Sequence, residues 1–396
     1  MIFNNIKCSE IIDVRDGTHD SPKYIDRGYP LITSKNIKNN KIDFENISYI
    51  SKEDFENINK RSSVDNGDIL MPMIGTVGNP VLVDTNIKFA IKNVALFKLS
   101  NNDLVDGKYF YYLLKSSYVI RQLERYKRGG TQSFVSLKNL RELKVPVPSL
   151  EKQEEIANIL DKAQELIDKR KYQVESLDEL VKSRFIEIFG DPVLNSKGWQ
   201  KLLCRDITLK IGSGATPKGG NSSYKEEGIS LIRSMNVHNN KFIDKDLAFI
   251  DDEQAEKLKN VTIEENDVLL NITGASVARC CIVPNEYIPA RVNQHVAIIR
   301  CKNEKILPNF LSYQLTNISY QRLLWDIATS GGATREAITK QQIEKLELII
   351  PPIEIQKEFT AFIHQVDKLK FKMESSLKEL ENNFNSLMQK AFNGEL

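Results

Sequence analysis

Cysteine is scarce in this 396-residue chain: Cys8, Cys204, Cys280, Cys281 and Cys301 are odd in number, scattered, and never spaced as C-x-x-C. That excludes a disulfide scaffold and a cysteine-held metal, so reduced core residues are expected. Histidine is scarcer still, and His19, His238, His295 and His364 show neither metal-ligand spacing nor a local nucleophile to serve, so each reads as a polar or surface residue. No stretch approaches the roughly 18 apolar residues of a membrane span. The opening Met1–Cys8 lacks a basic segment leading into an apolar run, so a cytoplasmic protein without membrane contact is expected. Excess charge of one sign is missing too. With 55 Lys+Arg against 53 Asp+Glu the net charge is +2, which excludes a bulk polycation, and any nucleic-acid contact must come from local basic faces.

Catalytic signatures are equally absent. Ile211-Gly-Ser-Gly-Ala-Thr-Pro-Lys218 is glycine-rich but has neither the G-x-x-x-x-G-K-[ST] spacing of a phosphate cradle nor G-x-G-x-x-G after a strand. Asn79-Pro-Val-Leu82 and Asp191-Pro-Val-Leu194 lack the second proline and the aromatic that an amino-methyltransferase loop needs to stack on its target base. No cluster of spaced acids marks a nuclease metal site. The expectation is a chain with no metal and no cofactor of its own.

What is present is bulk and repetition. Hydrophobic residues at 41% and charged residues at 27% suit a globular chain, and this length predicts two domains. The chain then repeats itself after roughly two hundred residues, a period far longer than that of a solenoid. Ile32-Thr-Ser-Lys-Asn-Ile-Lys-Asn-Asn-Lys41 is echoed by Ile232-Arg-Ser-Met-Asn-Val-His-Asn-Asn-Lys241. Gly67-Asp-Ile-Leu-Met-Pro-Met-Ile-Gly75 matches Asn266-Asp-Val-Leu-Leu-Asn-Ile-Thr-Gly274, and Val147-Pro-Ser-Leu-Glu-Lys-Gln153 matches Ile350-Pro-Pro-Ile-Glu-Ile-Gln356.

Each copy divides into a strand-rich mixed part, residues 1–146 and 191–350, and a long helix, residues 147–190 and 351–396. Short β-branched runs such as Val81-Leu-Val83 and Val296–Arg300, parted by Asn, Gly and Asp turns, mark the first part. Pro148 and Pro351-Pro352 mark the helix openings, because proline is tolerated only before or within a first turn. In the first helix Ile156, Leu160, Ile167, Val174, Leu177 and Val181 keep the alternating four-and-three spacing of a coiled-coil seam. The second repeats it with Phe359, Ile363, Val366, Met373, Leu377, Leu380 and Phe384, while Arg170, Arg184 and Lys370 interrupt the two stripes. Two matching stripes, each about 50 Å long, most simply bury each other. The predicted fold is therefore α+β: two pseudo-twofold-related mixed α/β domains separated by two long antiparallel helices forming a coiled coil. Such a dimer fused into one chain suits a partner that is itself two-fold, and duplex DNA read at two half-sites is the familiar case.

Four loops per copy carry side chains suited to DNA, since Asn, Gln, Arg and Lys read base edges or neutralise phosphates. The first holds Lys35, Asn36 and Lys38, answered by Arg233, Ser234, Asn236 and His238. The second holds Thr76 and Asn79, answered by Thr273 and Arg279; the third holds Lys88, Lys92 and Asn93, answered by Arg291, Asn293 and Gln294. The fourth holds Lys127, Arg128, Thr131 and Gln132, answered by Thr334 and Arg335, and Thr216 with Lys218 joins the set in the second copy. Any one of these residues, taken alone, is equally a solvated turn.

With these features in view, the chain resembles, over essentially its full length, a specificity subunit of a type I restriction-modification enzyme. Ile211–Lys218 followed by Gly228-Ile-Ser-Leu-Ile-Arg-Ser234 is similar to the opening of a target-recognition domain. Gly332-Ala-Thr-Arg-Glu-Ala-Ile-Thr339, leading into Leu348–Pro352 and Gln356, is similar to the passage from such a domain into a helix, and Phe189-Gly-Asp-Pro192 with Lys197-Gly-Trp199 to the junction between copies. The first copy departs from the pattern, offering Asp16-Gly-Thr-His-Asp-Ser-Pro22 in place of Gly-Ser-Gly-x-Thr-Pro and Gln132-Ser-Phe-Val135 before its helix. The resemblance implies a non-catalytic module that reads double-stranded DNA at one half-site per recognition domain, with the helices as a ruler for the spacer. It also implies docking of two methyltransferase subunits, which would bind S-adenosylmethionine, and the company of restriction-translocase subunits using ATP and Mg²⁺. Two rivals stand beside it: a protein-binding structural adaptor, and a stand-alone DNA-modifying enzyme with an unrecognised site.

Overall fold

The computed structural model describes residues 5–38, 40–75, 77–126, 134–330 and 336–396. It resolves into two compact units, one comprising residues up to Tyr172 together with Glu374–Leu396, the other Gln173–Met373. Each unit is mixed α/β, and among the described residues no helix is long and apolar enough to cross a membrane.

The same sheet plan is built twice. In the first unit Asp13–Asp16, Val94–Lys98, Ile69–Pro72 and Val81–Leu82 form an antiparallel sheet in that order. In the second unit Thr208–Ser213, Val296–Cys301, Val268–Asn271 and Cys280–Ile282 repeat it. A second sheet sets Tyr29–Ile32 antiparallel to Ser48–Ile50 and parallel to Ala90–Ile91. Its counterpart sets Ile229–Ile232 antiparallel to Ala248–Ile250 and parallel to Ala290–Val292, which also takes Thr262–Ile263. The central strands are apolar on both faces and fully buried, as in Ile69-Leu-Met and Val296-Ala-Ile-Ile.

Paired residues that recur between the copies have structural employment. Asp68 and Asp267 are buried, and each carboxylate closes a turn by accepting a backbone N–H, from Asp65 at 2.8 Å and from Glu264 at 2.7 Å. Each is neutralised by a cation on the neighbouring strand, Lys98 at 2.5 Å and Arg300 at 2.8 Å. Gln153 and Gln356 are wholly buried staples: Oε1 accepts from Asp106 or Leu307 N–H at 2.9 Å, and Nε2 donates to the carbonyls of Leu104 and Pro148, or of Lys305 and Pro351. A buried amide left unpaired is costly, so an identical glutamine after each proline is a folding requirement.

The long helices span Leu150–Phe189 and Ile353–Asn393. The first ends at Gly190, whose left-handed φ of 75° lets its N–H return to the carbonyl of Ile186 at 2.9 Å. Helix pairs with antiparallel register occur within each unit, bridged by Lys171–Glu381 in the first and Lys370–Asp178 in the second. The seam residues are unevenly covered. Ile156, Leu160, Met388, Ala391 and Phe392 share the core of the first unit, where Tyr109 meets Phe392 with ring centroids 5.5 Å apart and Phe384 packs partly buried. Leu177, Val181, Phe359, Ile363 and Val366 share that of the second, around the rings of Phe185, Phe189 and Phe310. Ile167 is buried, while Val174, Met373, Leu377 and Leu380 are half-buried. The stripes thus bury against the globular cores as well as against helix, which the periodicity alone does not distinguish.

All five cysteines are free and buried, and burial pushes the Cys8, Cys204 and Cys281 thiols up to about 12. They are inert core residues at neutral pH.

Candidate nucleic-acid interface

The parallel strand pair in each unit decides where its loops go. Because Tyr29–Ile32 and Ala90–Ile91 run the same way, the turns that follow them, 33–38 and 92–93, leave one edge of the sheet together, and 233–238 and 293–295 do the same in the second unit. The opening strand is brought to that edge by a glycine. Gly17 donates its N–H to Val94 and Thr18 to Ile91, both at 3.0 Å, and a Cβ on Gly17 would lie 2.2 Å from the Ile91 carbonyl oxygen. Gly214 repeats the crossing, with a hypothetical Cβ 2.1 Å from the Asn293 oxygen. Asp16-Gly-Thr in the first copy is therefore the physical counterpart of Ser-Gly-Ala in the second, despite the different motif. Loops two and four join through the bridges Ile74–Phe134 and Thr273–Ala337. Val135 N–H donates to Met73 at 3.0 Å in one unit, and Gly274 N–H to Glu336 at 3.0 Å in the other.

The sequence-selected residues fall into three groups on this frame. Lys35, Lys38 and Lys88 are exposed, as are Lys218 and Gln294; Asn79, Lys92, Asn93, Thr216, Arg233, Ser234, His238, Thr273 and Arg279 are half-buried at the loop surface. Several of these are already oriented by neighbours. Lys92 reaches Ser21 Oγ at 2.5 Å, the Arg233 guanidinium lies 5.6 Å from the Tyr224 ring centroid, and Thr273 Oγ1 lies 2.5 Å from His295 Nδ1.

A second group is corrected by its burial. Asn36 and Asn236 face inward: each Oδ1 accepts the N–H of residue 33 or 233 at 3.0 Å, and each Nδ2 donates to carbonyls across the following hairpin, Asp43 and Asn46, or Ile243 and Lys245. Arg291 is only 8% exposed and donates to the carbonyls of Ala255 and Ala290 at 3.1 Å. Asn293 is buried and accepts from His295 N–H at 3.2 Å. These four shape the loops from within. The third group, Thr76, Lys127, Arg128, Thr131, Gln132, Thr334 and Arg335, lies outside the described residues.

Residue-type reasoning passed over His19. Its Nδ1 lies 2.8 Å from Asn93 Oδ1 and its Nε2 3.0 Å from Asp16 Oδ2, while the other Asp16 oxygen accepts from Arg61. It also passed over a cleft of about 400 Å³ in the second unit, where Arg279 faces Gln321, Arg322 and the 39%-exposed Trp325. Helical spacing of Arg322 and Trp325 was the available signal for the latter; the distance in sequence between His19 and Asn93 left none for the former.

Comparison with known proteins gives a consistent result. A family model described as type I restriction modification DNA specificity domain matches residues 3–176 and again 196–382. Among curated proteins, the type I restriction enzyme MjaIX specificity subunit of Methanocaldococcus jannaschii is 25% identical, over 98% of this chain and 92% of its own length. The EcoKI specificity subunit of Escherichia coli is 21% identical, over 93% and 82%. Of solved structures, one from a study of complex assembly and conformational transition of the type I restriction-modification system aligns with a TM-score of 0.62 at 18% identity, covering 100% of this chain and 98% of that one. The type I S subunit from M. genitalium aligns at 0.55 and 15% identity, covering 98% and 96%.

Proposed function

The chain belongs to the type I restriction-modification DNA specificity family, and from that premise we propose that it is the sequence-reading subunit of such a system, each unit reading one half of a two-part site in duplex DNA. The observation that carries this reading is a duplicated scaffold whose loops deliver exposed lysines and amides to equivalent sheet edges while their exact side chains differ. Identical frames with unlike rims are what two different half-sites require. Lys35 and Lys38 in one unit, and Lys218 and Arg279 in the other, supply phosphate contacts that position the duplex, and Asn93 and Gln294 supply base-edge contacts; Lys88 precedes Ala90–Ile91 and stands at the other end of that strand.

The chain itself performs no chemistry in this reading. Two methyltransferase subunits dock on the outward faces of the long helices and bring S-adenosylmethionine; restriction subunits, where present, bring ATP and Mg²⁺. A near-neutral chain of net charge +2 then leaves much of the salt-dependent phosphate affinity to its partners. The assembly works where the DNA is, in the cytoplasm. Sequencing adenine methylation in cells that express this chain with its neighbouring methyltransferase, against cells lacking the chain, tests the proposal. A bipartite methylated motif that disappears with the chain is expected; methylation that persists unchanged would contradict it.

A further inference from the structure

In the first unit a cleft of about 220 Å³ opens beside the loop edge, floored by Met73, Ile74 and Phe134 and rimmed by His19 and Asn93. Ile74 and Phe134, joined by a backbone bridge, are 36% and 42% exposed, an apolar pair left open to solvent. The polar rim is built with care. Arg61 and His19 hold the two oxygens of Asp16, whose side chain is 6% exposed, and the other ring nitrogen of His19 lies 2.8 Å from Oδ1 of Asn93; with both ring nitrogens donating, the amide nitrogen of Asn93 is the end left for a ligand. Asn93 is further fixed by a left-handed φ of 54° and by its N–H donating to Thr18 at 3.2 Å.

A fixed N–H donor beside an apolar pair asks for an acceptor next to a methyl group. In the major groove only thymine offers that combination, O4 beside the 5-methyl. Resting on the DNA-reading role above, we propose that this cleft reads one thymine in the half-site of the first unit: Asn93 Nδ2 donates to O4, Ile74 and Phe134 meet the methyl, and His19 is a positioning residue that stops the amide from turning over. Among the described residues the second unit is built differently here. The counterpart of Ile74 there is Thr273, which is bonded to His295.

The test uses the full chain assembled with its methyltransferase and duplexes in which each thymine of the mapped site is replaced singly by uracil, which keeps O4 and removes only the methyl. One position in the first unit's half-site is expected to lose about fourfold in methylation rate, the factor for one buried carbon. Ile74→Ala is expected to abolish that thymine-over-uracil preference, and His19→Ala to keep it while relaxing discrimination against cytosine, whose N4 amine a turned amide accepts. His19 has a side chain 63% exposed, so its removal does not threaten the core. Uniform tolerance of uracil, or a preference that survives Ile74→Ala, would overturn the inference while leaving the recognition role standing. A wild-type assembly that methylates its mapped site and random duplex alike would overturn both.

Discussion

Laid over one another, the two units agree on the inside and disagree at the rim. Gly17 and Gly214 make the same strand crossing, Asn36 and Asn236 knit the same hairpin, Asp68 and Asp267 close the same turn, and Gln153 and Gln356 staple the same helix opening. At the loop surface Ile74 stands where Thr273 stands, and Asp16-Gly-Thr-His19 where Ser213-Gly-Ala-Thr216 stands. The lesson is a sorting rule. Within a duplicated chain, an identical polar residue at paired positions is more informative about folding than about binding, since binding two unlike sequences demands difference.

The sharpest break is at the glycine crossing. Gly214→Val places a branched side chain against the Val292 and Asn293 carbonyls and should cost about 3 kcal/mol or more, seen as an early melting transition and loss of the second unit's half-site alone. Gly17→Val should do the same to the other half-site; loss of both from one substitution would refute independent units. Next in size, Asp68→Ala and Asp267→Ala each remove a buried carboxylate and open a turn, at about 3 kcal/mol apiece by denaturant titration, while Lys98 keeps Asp65 and Arg300 keeps Glu264 as partners; markedly unequal costs would show that the two ion pairs are not equivalent devices. Gln153→Ala and Gln356→Ala remove three buried hydrogen bonds each and should cost about 2 kcal/mol.

Rim substitutions should behave differently. Lys35→Ala with Lys38→Ala should leave melting within about 0.5 kcal/mol of wild type and lower DNA affinity for all sequences alike, reducing the salt slope by roughly one for each phosphate that is no longer neutralised. A changed methylation motif instead would make these lysines base readers. Smallest of all, Lys370→Ala should cost under about 0.5 kcal/mol, because its partner Asp178 is exposed.

Repetition was the most legible signal in the sequence, and it located both long helices and the strand-rich parts between them. Periodicity marked the apolar stripe but not what covers it: Ile156 and Phe359 have the same spacing as Val174 and Leu380, yet only the former reach a globular core. At the loops, residue type proved an ambiguous guide, because the amide that suits a base edge also suits a hairpin's inner carbonyls, as Asn36 and Asn236 show. His19 was illegible for the opposite reason. Its meaning depends on Asp16 three residues before it and on Arg61 and Asn93, which the fold brings in from distant parts of the chain.

The central claim, one half-site to each unit, is tested most directly by exchanging residues 200–345 for the corresponding part of another specificity subunit and sequencing the methylated motif. The account predicts that one half of the motif changes and the other stays. A change in both halves, or in neither, would contradict it.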